Sequence, residues 1–144
     1  MITSQQLQEF LTESGIQPFT VLIADDNYSL PDPQWILNDF ANALRSFQLA
    51  METATYMPEK NDCDNFTRGA AYFADVLHSR TRDVQTAICF GEFWYTLDAG
   101  GGHAINIAVV KNGDVMELMF FEPQTLMQLT LSKTEIESCY AYRF

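Results

Sequence analysis

Apolar positions change period half-way along the chain. In the first half they recur every three or four residues; in the second they alternate or run on without a break. Between Thr3 and Glu13, Leu7, Phe10 and Leu11 sit at i, i+3 and i+4, and Gly15 can stop a helix there. The run FTVLIA, Phe19 to Ala24, predicts a short buried strand. After the turn DDNYSLPDP, Asp32 caps a second helix with Pro33 at its first position, and Trp35, Ile36, Phe40, Leu44 and Phe47 form its stripe. Pro58 breaks the segment METATYMPEKND. A third helix is predicted from Asn61 or Asp62 to about Ser79, with the stripe Phe66, Ala70, Phe73 and Leu77. Three residues earlier the same stripe reaches Cys63, which places that cysteine in the first turn, facing the core.

The second half reads as strands. TAICFGEFWYTL, Thr86 to Leu97, is rich in β-branched and aromatic residues, with a bulge expected at Gly91. HAINIAVV and VMELMFFE flank KNGD, which predicts a hairpin with a type I′ turn at Asn112-Gly113. TLSKTEIESCYAYRF predicts a short turn or helix and a last strand. Helices first and an antiparallel sheet second give an α+β class, with N-terminal helices packed on a C-terminal antiparallel sheet. A chain of 144 residues suits one domain, residues 1–144.

The hairpin fixes a register. If Asn112 and Gly113 form the turn, Lys111 faces Asp114, Val109 faces Met116, Ile107 faces Leu118, Ile105 faces Phe120 and His103 faces Glu122. The apolar pairs mark a core face, and His103–Glu122 closes it at the open end of the hairpin. A carboxylate there can orient an imidazole and stabilise its charged form.

Charge narrows the choice of partner. Eight Lys and Arg against 19 Asp and Glu give a net charge of −11. That balance repels phosphate backbones and anionic lipid, so neither nucleic acid nor a membrane surface is an expected partner. Cys63, Cys89 and Cys139 form no CxxC pair, which argues against zinc and against a disulfide scaffold. MITSQQLQEF lacks the pattern of a secretion signal, and no apolar run reaches the ~20 residues of a membrane span. The expected compartment is the cytoplasm.

A thiol at a helix start feels the positive end of the helix dipole, which favours thiolate. If the third helix packs on the core face of the hairpin, Cys63, His103 and Glu122 make a nucleophile, a base and an orienting acid. Asp62 and Asp64 flank the thiol and oppose its ionisation unless they bind a cation. His78, at the far end of the same helix, is about 22 Å away at ~1.5 Å per residue and cannot serve that thiol. Cys89 and Cys139 read as packing residues, and Asn106 points to the face opposite His103. A lone helical cysteine is most often a small buried hydrophobe, so the His103–Glu122 pairing, together with a thiol at a helix start, carries the catalytic reading.

YMPEKNDCDNF, then GGHAINIAVV, then MFFEPQT resembles the C-terminal protease domain of the fairy-ring-mushroom agglutinin family, with the Cys63-to-His103 and His103-to-Glu122 spacings similar to that family's. The resemblance covers the chain from about Phe19 to its end. It implies a papain/transglutaminase-like fold and a cysteine peptidase with Cys63 as nucleophile, His103 as base and Glu122 as orienter. It also implies calcium, for which Asp62, Asp64, Asp25 and Asp26 are the candidate oxygen ligands. Gln124, Tyr56 and Trp94 are candidates to line the site. No length remains for a sugar-binding trefoil, so sugar recognition does not carry over.

Three functions compete. A cysteine hydrolase would cleave peptide or isopeptide amides of a protein or peptide substrate. An acyl transferase or deamidase would use the same triad. A non-catalytic module would engage a basic partner through the acidic surface. A free-standing domain of this kind is expected to be targeted by a partner or to form a homodimer.

Overall fold

The computed structural model describes residues 1–81 and 85–144. The chain runs β1 (Ile2–Thr3), α1 (Ser4–Glu13), β2 (Thr20–Leu22), β3 (Asn27–Ser29) and α2 (Pro33–Trp35), which continues through a π turn (Ile36–Phe40) into α3 (Ala41–Ala50). Then come α4 (Cys63–Ser79), β4 (Ala87–Ile88), β5 (Phe90–Thr96), β6 (Gly102–Asn112), β7 (Val115–Glu122), β8 (Met127–Leu129), α5 (Lys133–Glu137) and β9 (Ala141–Arg143).

Local chemistry sets the helix starts. The Thr3 hydroxyl accepts from the Gln6 N–H, and the Gln6 side chain accepts from the Thr3 N–H. Asp32 accepts from the N–H groups of Gln34 and Trp35. Asp62 caps α4 in a box with Asn65.

The central sheet has six strands in the order β2-β9-β5-β6-β7-β8. Both faces are buried. On one, Phe93, Ile105, Ile107, Val109 and Phe120 pack with Leu7 and Leu11 of α1. On the other, Phe90, Ala108, Val110 and Phe121 pack with Phe40, Leu44, Ala70 and Ala74 of the π turn, α3 and α4.

This architecture corrects the expected arrangement of N-terminal helices on a C-terminal antiparallel sheet. The sheet draws its edge strand β2 from the first half of the chain, parallel to the last strand β9. A second sheet, β1-β3-β4, is also mixed and joins both halves. Alternation patterns cannot show such long-range parallel pairings. Residues 19–22 also differ from the expected buried strand: β2 is an edge strand with Val21 and Leu22 exposed. Cys89 separates β4 from β5, whereas the sequence predicts one strand over residues 86–97 with a bulge at Gly91.

The hairpin is present but shifted. Asn112 pairs with Val115, so Gly113 and Asp114 are the two turn residues, with Gly113 at φ 62°. Ile107 therefore faces Phe120, and Val109 faces Leu118. The shift is two residues, an even number, so every side chain keeps its predicted face.

Candidate functional site

Glu122 ends β7 and His103 lies at the start of β6. The observed register sets them diagonally across the ladder, yet His103 Nε2 is 2.8 Å from Glu122 Oε2. Their side chains are 21% and 10% exposed, so the pair is largely shielded from water. The other carboxylate oxygen, Oε1, accepts the Gln124 N–H at 3.1 Å. The Tyr95 ring stands edge-on to the imidazole, with centroids 5.9 Å apart. Glu122 thus holds the imidazole through one carboxylate oxygen and the backbone through the other.

The turn after Glu122 is clamped from α3. Arg45 Nη2 donates to the Gln124 carbonyl at 3.1 Å, and Gln48 Nε2 donates to the Pro123 carbonyl at 3.0 Å. Sequence reading missed both residues. Gln48 had a visible signal, since it continues the Phe40, Leu44 stripe as a polar residue on an apolar face.

Cys63 is the first residue of α4, half-buried, with a free thiol. Its carbonyl accepts the Thr67 hydroxyl at 2.8 Å. One turn on, the Thr67 carbonyl accepts Asn106 Nδ2 at 2.9 Å, which ties α4 to β6. Asn106 lies on the face opposite His103, as expected from its position. That tie has a consequence for the triad: α4 packs on the side of β6 carrying Asn106 and Ala108, whereas strand alternation puts His103 on the side carrying Ile105. Thiol and imidazole can meet only around the open end of β6, and among the described residues no hydrogen bond joins them. The assumption that α4 covers the His103 face is therefore corrected.

Tyr140 occupies that open end. A Cβ on Gly102 would stand 3.2 Å from its hydroxyl. Burial raises the Tyr140 pKa, and the negative charge of a Cys63 thiolate raises it further, so the phenol and thiol share a neighbourhood. Trp94 is half-buried in β5, opposite Ala104, on the α4 side of the sheet. Tyr56 is exposed in the loop before α4. That loop is held by Asn61 Nδ2, which donates to the carbonyls of Thr53 and Thr55 at 2.8 Å each.

The four aspartates fall in two places. Asp62 and Asp64 are neighbours, and the proximity of the Asp62 carboxyl is the main cause of a raised Asp64 pKa. Arg68 Nη2 sits 3.3 Å from Asp64 Oδ2. Asp25 and Asp26 instead line a cavity with Asp75 and His78, near the other end of α4. Among the described residues, no three His, Cys, Asp or Glu cluster in a way that could hold a metal ion.

Two solved structures share this fold. The PSL1a–E64 complex matches with a TM-score of 0.77 and 19% identity, over 99% of this chain and 51% of that one. Polyporus squamosus lectin bound to the human-type influenza-binding epitope Neu5Aca2-6Galb1-4GlcNAc matches with a TM-score of 0.75 and 20% identity, over 99% of this chain and 49% of that one. The chain spans about half the length of these proteins. No protein-family profile matches it, and neither does any curated protein. At such identities the likeness establishes the fold alone.

These findings correct the family expectation. A Polyporus squamosus lectin is among the structures that share the fold, so the assignment to a papain/transglutaminase-like protease domain of the agglutinin family is withdrawn, and the hydrolase and thiol-protease labels go with it. The reading as a hydrolase of peptide or isopeptide bonds falls with that assignment. Among the described residues, no helix is long and apolar enough to cross a membrane.

Proposed function

We propose that the chain is a binding module that takes a polar ligand, a glycan or a peptide segment, at the open end of β6 and β7. His103, Glu122 and Gln124 would contact the ligand, and Cys63, Trp94 and Tyr56 would form the neighbouring rim. One observation carries this reading. Glu122 engages Nε2 of a half-buried imidazole, while Nδ1 has no protein partner among the described residues. An oriented ring nitrogen next to solvent is a ready hydrogen-bonding point for a ligand. One neighbour supplies a probe, the Neu5Aca2-6Galb1-4GlcNAc epitope. It should raise the melting temperature and protect Cys63 from iodoacetamide, and His103→Ala should remove both effects. Silence from this probe, or binding that survives His103→Ala, would overturn the reading.

A second reading adds chemistry to the same residues. The oriented imidazole, with a thiol at the adjacent helix start, suits acyl transfer to an amine or deamidation of glutamine. Cys63 would attack the amide carbonyl, His103 would protonate the departing ammonia, and an incoming amine or water would take the acyl group from the Cys63 thioester and free the thiol, with Glu122 holding the ring. Catalytic contacts commonly tighten only when ligand binds, which leaves room for the thiol and imidazole to meet. Ammonia release from a glutamine peptide that disappears in both Cys63→Ala and His103→Ala would establish it; no release would remove it. Calcium belongs to this proposal only as an accessory of the Asp62–Asp64 pair, whose mutual repulsion a cation would relieve. It should raise the melting temperature of the native chain but not of Asp64→Asn.

A further inference from the structure

Well along α4 from Cys63, a cavity of about 390 Å³ opens between α4, the segment around Asp25 and the β5–β9 edge. Glu92 lines it and is only 3% exposed. Its Oε1 meets Arg143 Nη1 at a loose 3.9 Å, and its Oε2 has no hydrogen-bond partner among the described residues. A buried carboxylate oxygen without a donor is costly. Burial accordingly pushes the Glu92 pKa up, with Arg143 and Arg68 only partly opposing it. Asp75 lines the same cavity, and its pKa is raised first by burial and then by Asp25. Phe90 and Tyr72 add aromatic surface. Arg68 and Arg143 also border the cavity, but both side chains are more than half exposed and Arg68 is already held by Asp64. Their charge is spent largely in water, so the cavity stays anionic.

We propose that this cavity binds a small organic cation, a primary ammonium on an aliphatic chain of the lysine type, with the ammonium at the Glu92 carboxylate and the chain against Phe90 and Tyr72. The chemistry selects this class. The Arg143 guanidinium already stands 3.9 Å from Oε1, which leaves more room for a compact point donor than for a second planar guanidinium. Aromatic walls favour an organic cation over a hydrated metal ion. Three ammonium protons can serve Glu92 and Asp75 together.

Titration of the ¹⁵N-labelled chain with n-butylammonium chloride tests this, with n-butanol and sodium chloride at matched ionic strength as controls. Saturable shifts at the amides of Gly91, Glu92, Asp75 and Arg143, absent with both controls, are expected. Glu92→Gln should weaken binding at least tenfold. Asp75→Asn and Tyr72→Ala, both nearer the surface, should weaken it several-fold while the rest of the spectrum is unchanged, which keeps the test decisive if Glu92→Gln misfolds. Non-saturating shifts, an equal response to n-butanol, or unchanged affinity in Asp75→Asn and Tyr72→Ala would overturn the proposal. None of these residues contacts His103 or Glu122, so this result is independent of the site at the open end of β6.

Discussion

His103 and Glu122 are joined by a 2.8 Å contact although they do not face each other across the β6–β7 ladder. In the observed register, Glu122 lies one step beyond the last paired residue, Phe121, and reaches diagonally to the imidazole. Diagonal neighbours on one face of a sheet are within reach of long side chains. Both Glu122 oxygens are engaged, one by the ring and one by the Gln124 N–H. Removing the carboxylate therefore orphans two donors at once. Glu122→Ala should destabilise the chain by about 1–3 kcal/mol, and Glu122→Gln by less because its amide oxygen still accepts one bond. Urea unfolding measures both; equal stability of Glu122→Ala and the native chain would show that the pair carries no structural weight.

The thiols separate by burial. Cys89 and Cys139 are buried, and burial pushes both pKa values up to about 12. Cys63 is half-exposed at the start of α4. At pH 8 iodoacetamide should modify Cys63 alone in the folded chain, and all three thiols in urea. Peptide mapping reads this out, and early modification of Cys89 would contradict the packing of β4 and β5.

Much of the local structure was legible in the sequence, and the reasons are physical. Asp32-Pro33 and the Asp62 cap are short-range signals, and the helices start where those residues stand. The His103–Glu122 contact was also readable, because a register error of two residues preserves the face of every side chain. What could not be read is long-range. Nothing near Thr20 shows that β2 will lie parallel to β9, and nothing near Cys63 shows which face of β6 the helix will cover. That second choice decides whether thiol and imidazole meet, and it is set by Ala70, Ala74, Ala108 and Phe121 packing far from the site.

Stability should fall as the solution is made more alkaline from mildly acidic pH. The pKa values of Glu92 and Asp75 are raised in the folded state, mainly by burial. A carboxyl whose folded pKa exceeds its unfolded value of about 4 holds more protons when folded, so the free energy of unfolding decreases as pH rises through that interval. Urea midpoints at pH 5 should therefore exceed those at pH 7.5. Glu92→Gln removes a buried charge that Arg143 only partly offsets and should flatten the slope. A midpoint that rises with pH over this range would refute the assignment.

Two glycines make opposite predictions from the same substitution. An alanine Cβ at Gly91 in β5 would lie 2.1 Å from the Arg143 carbonyl oxygen, and the obstacle is backbone on the neighbouring strand β9. A flexible side chain could swing away, but β9 is held between β2 and β5 and can yield only by breaking its pairings. Gly91→Ala should cost about 3 kcal/mol, at the upper end of typical overpacking. Gly69 lies inside α4, and nothing stands within 4 Å of the Cβ it would gain. There the added methyl meets no obstacle and reduces the freedom of the unfolded chain, so Gly69→Ala should stabilise by about 1 kcal/mol. Thermal unfolding of the two variants side by side tests both, and a Gly91→Ala variant as stable as Gly69→Ala would mean that β5 and β9 are not in the close contact described.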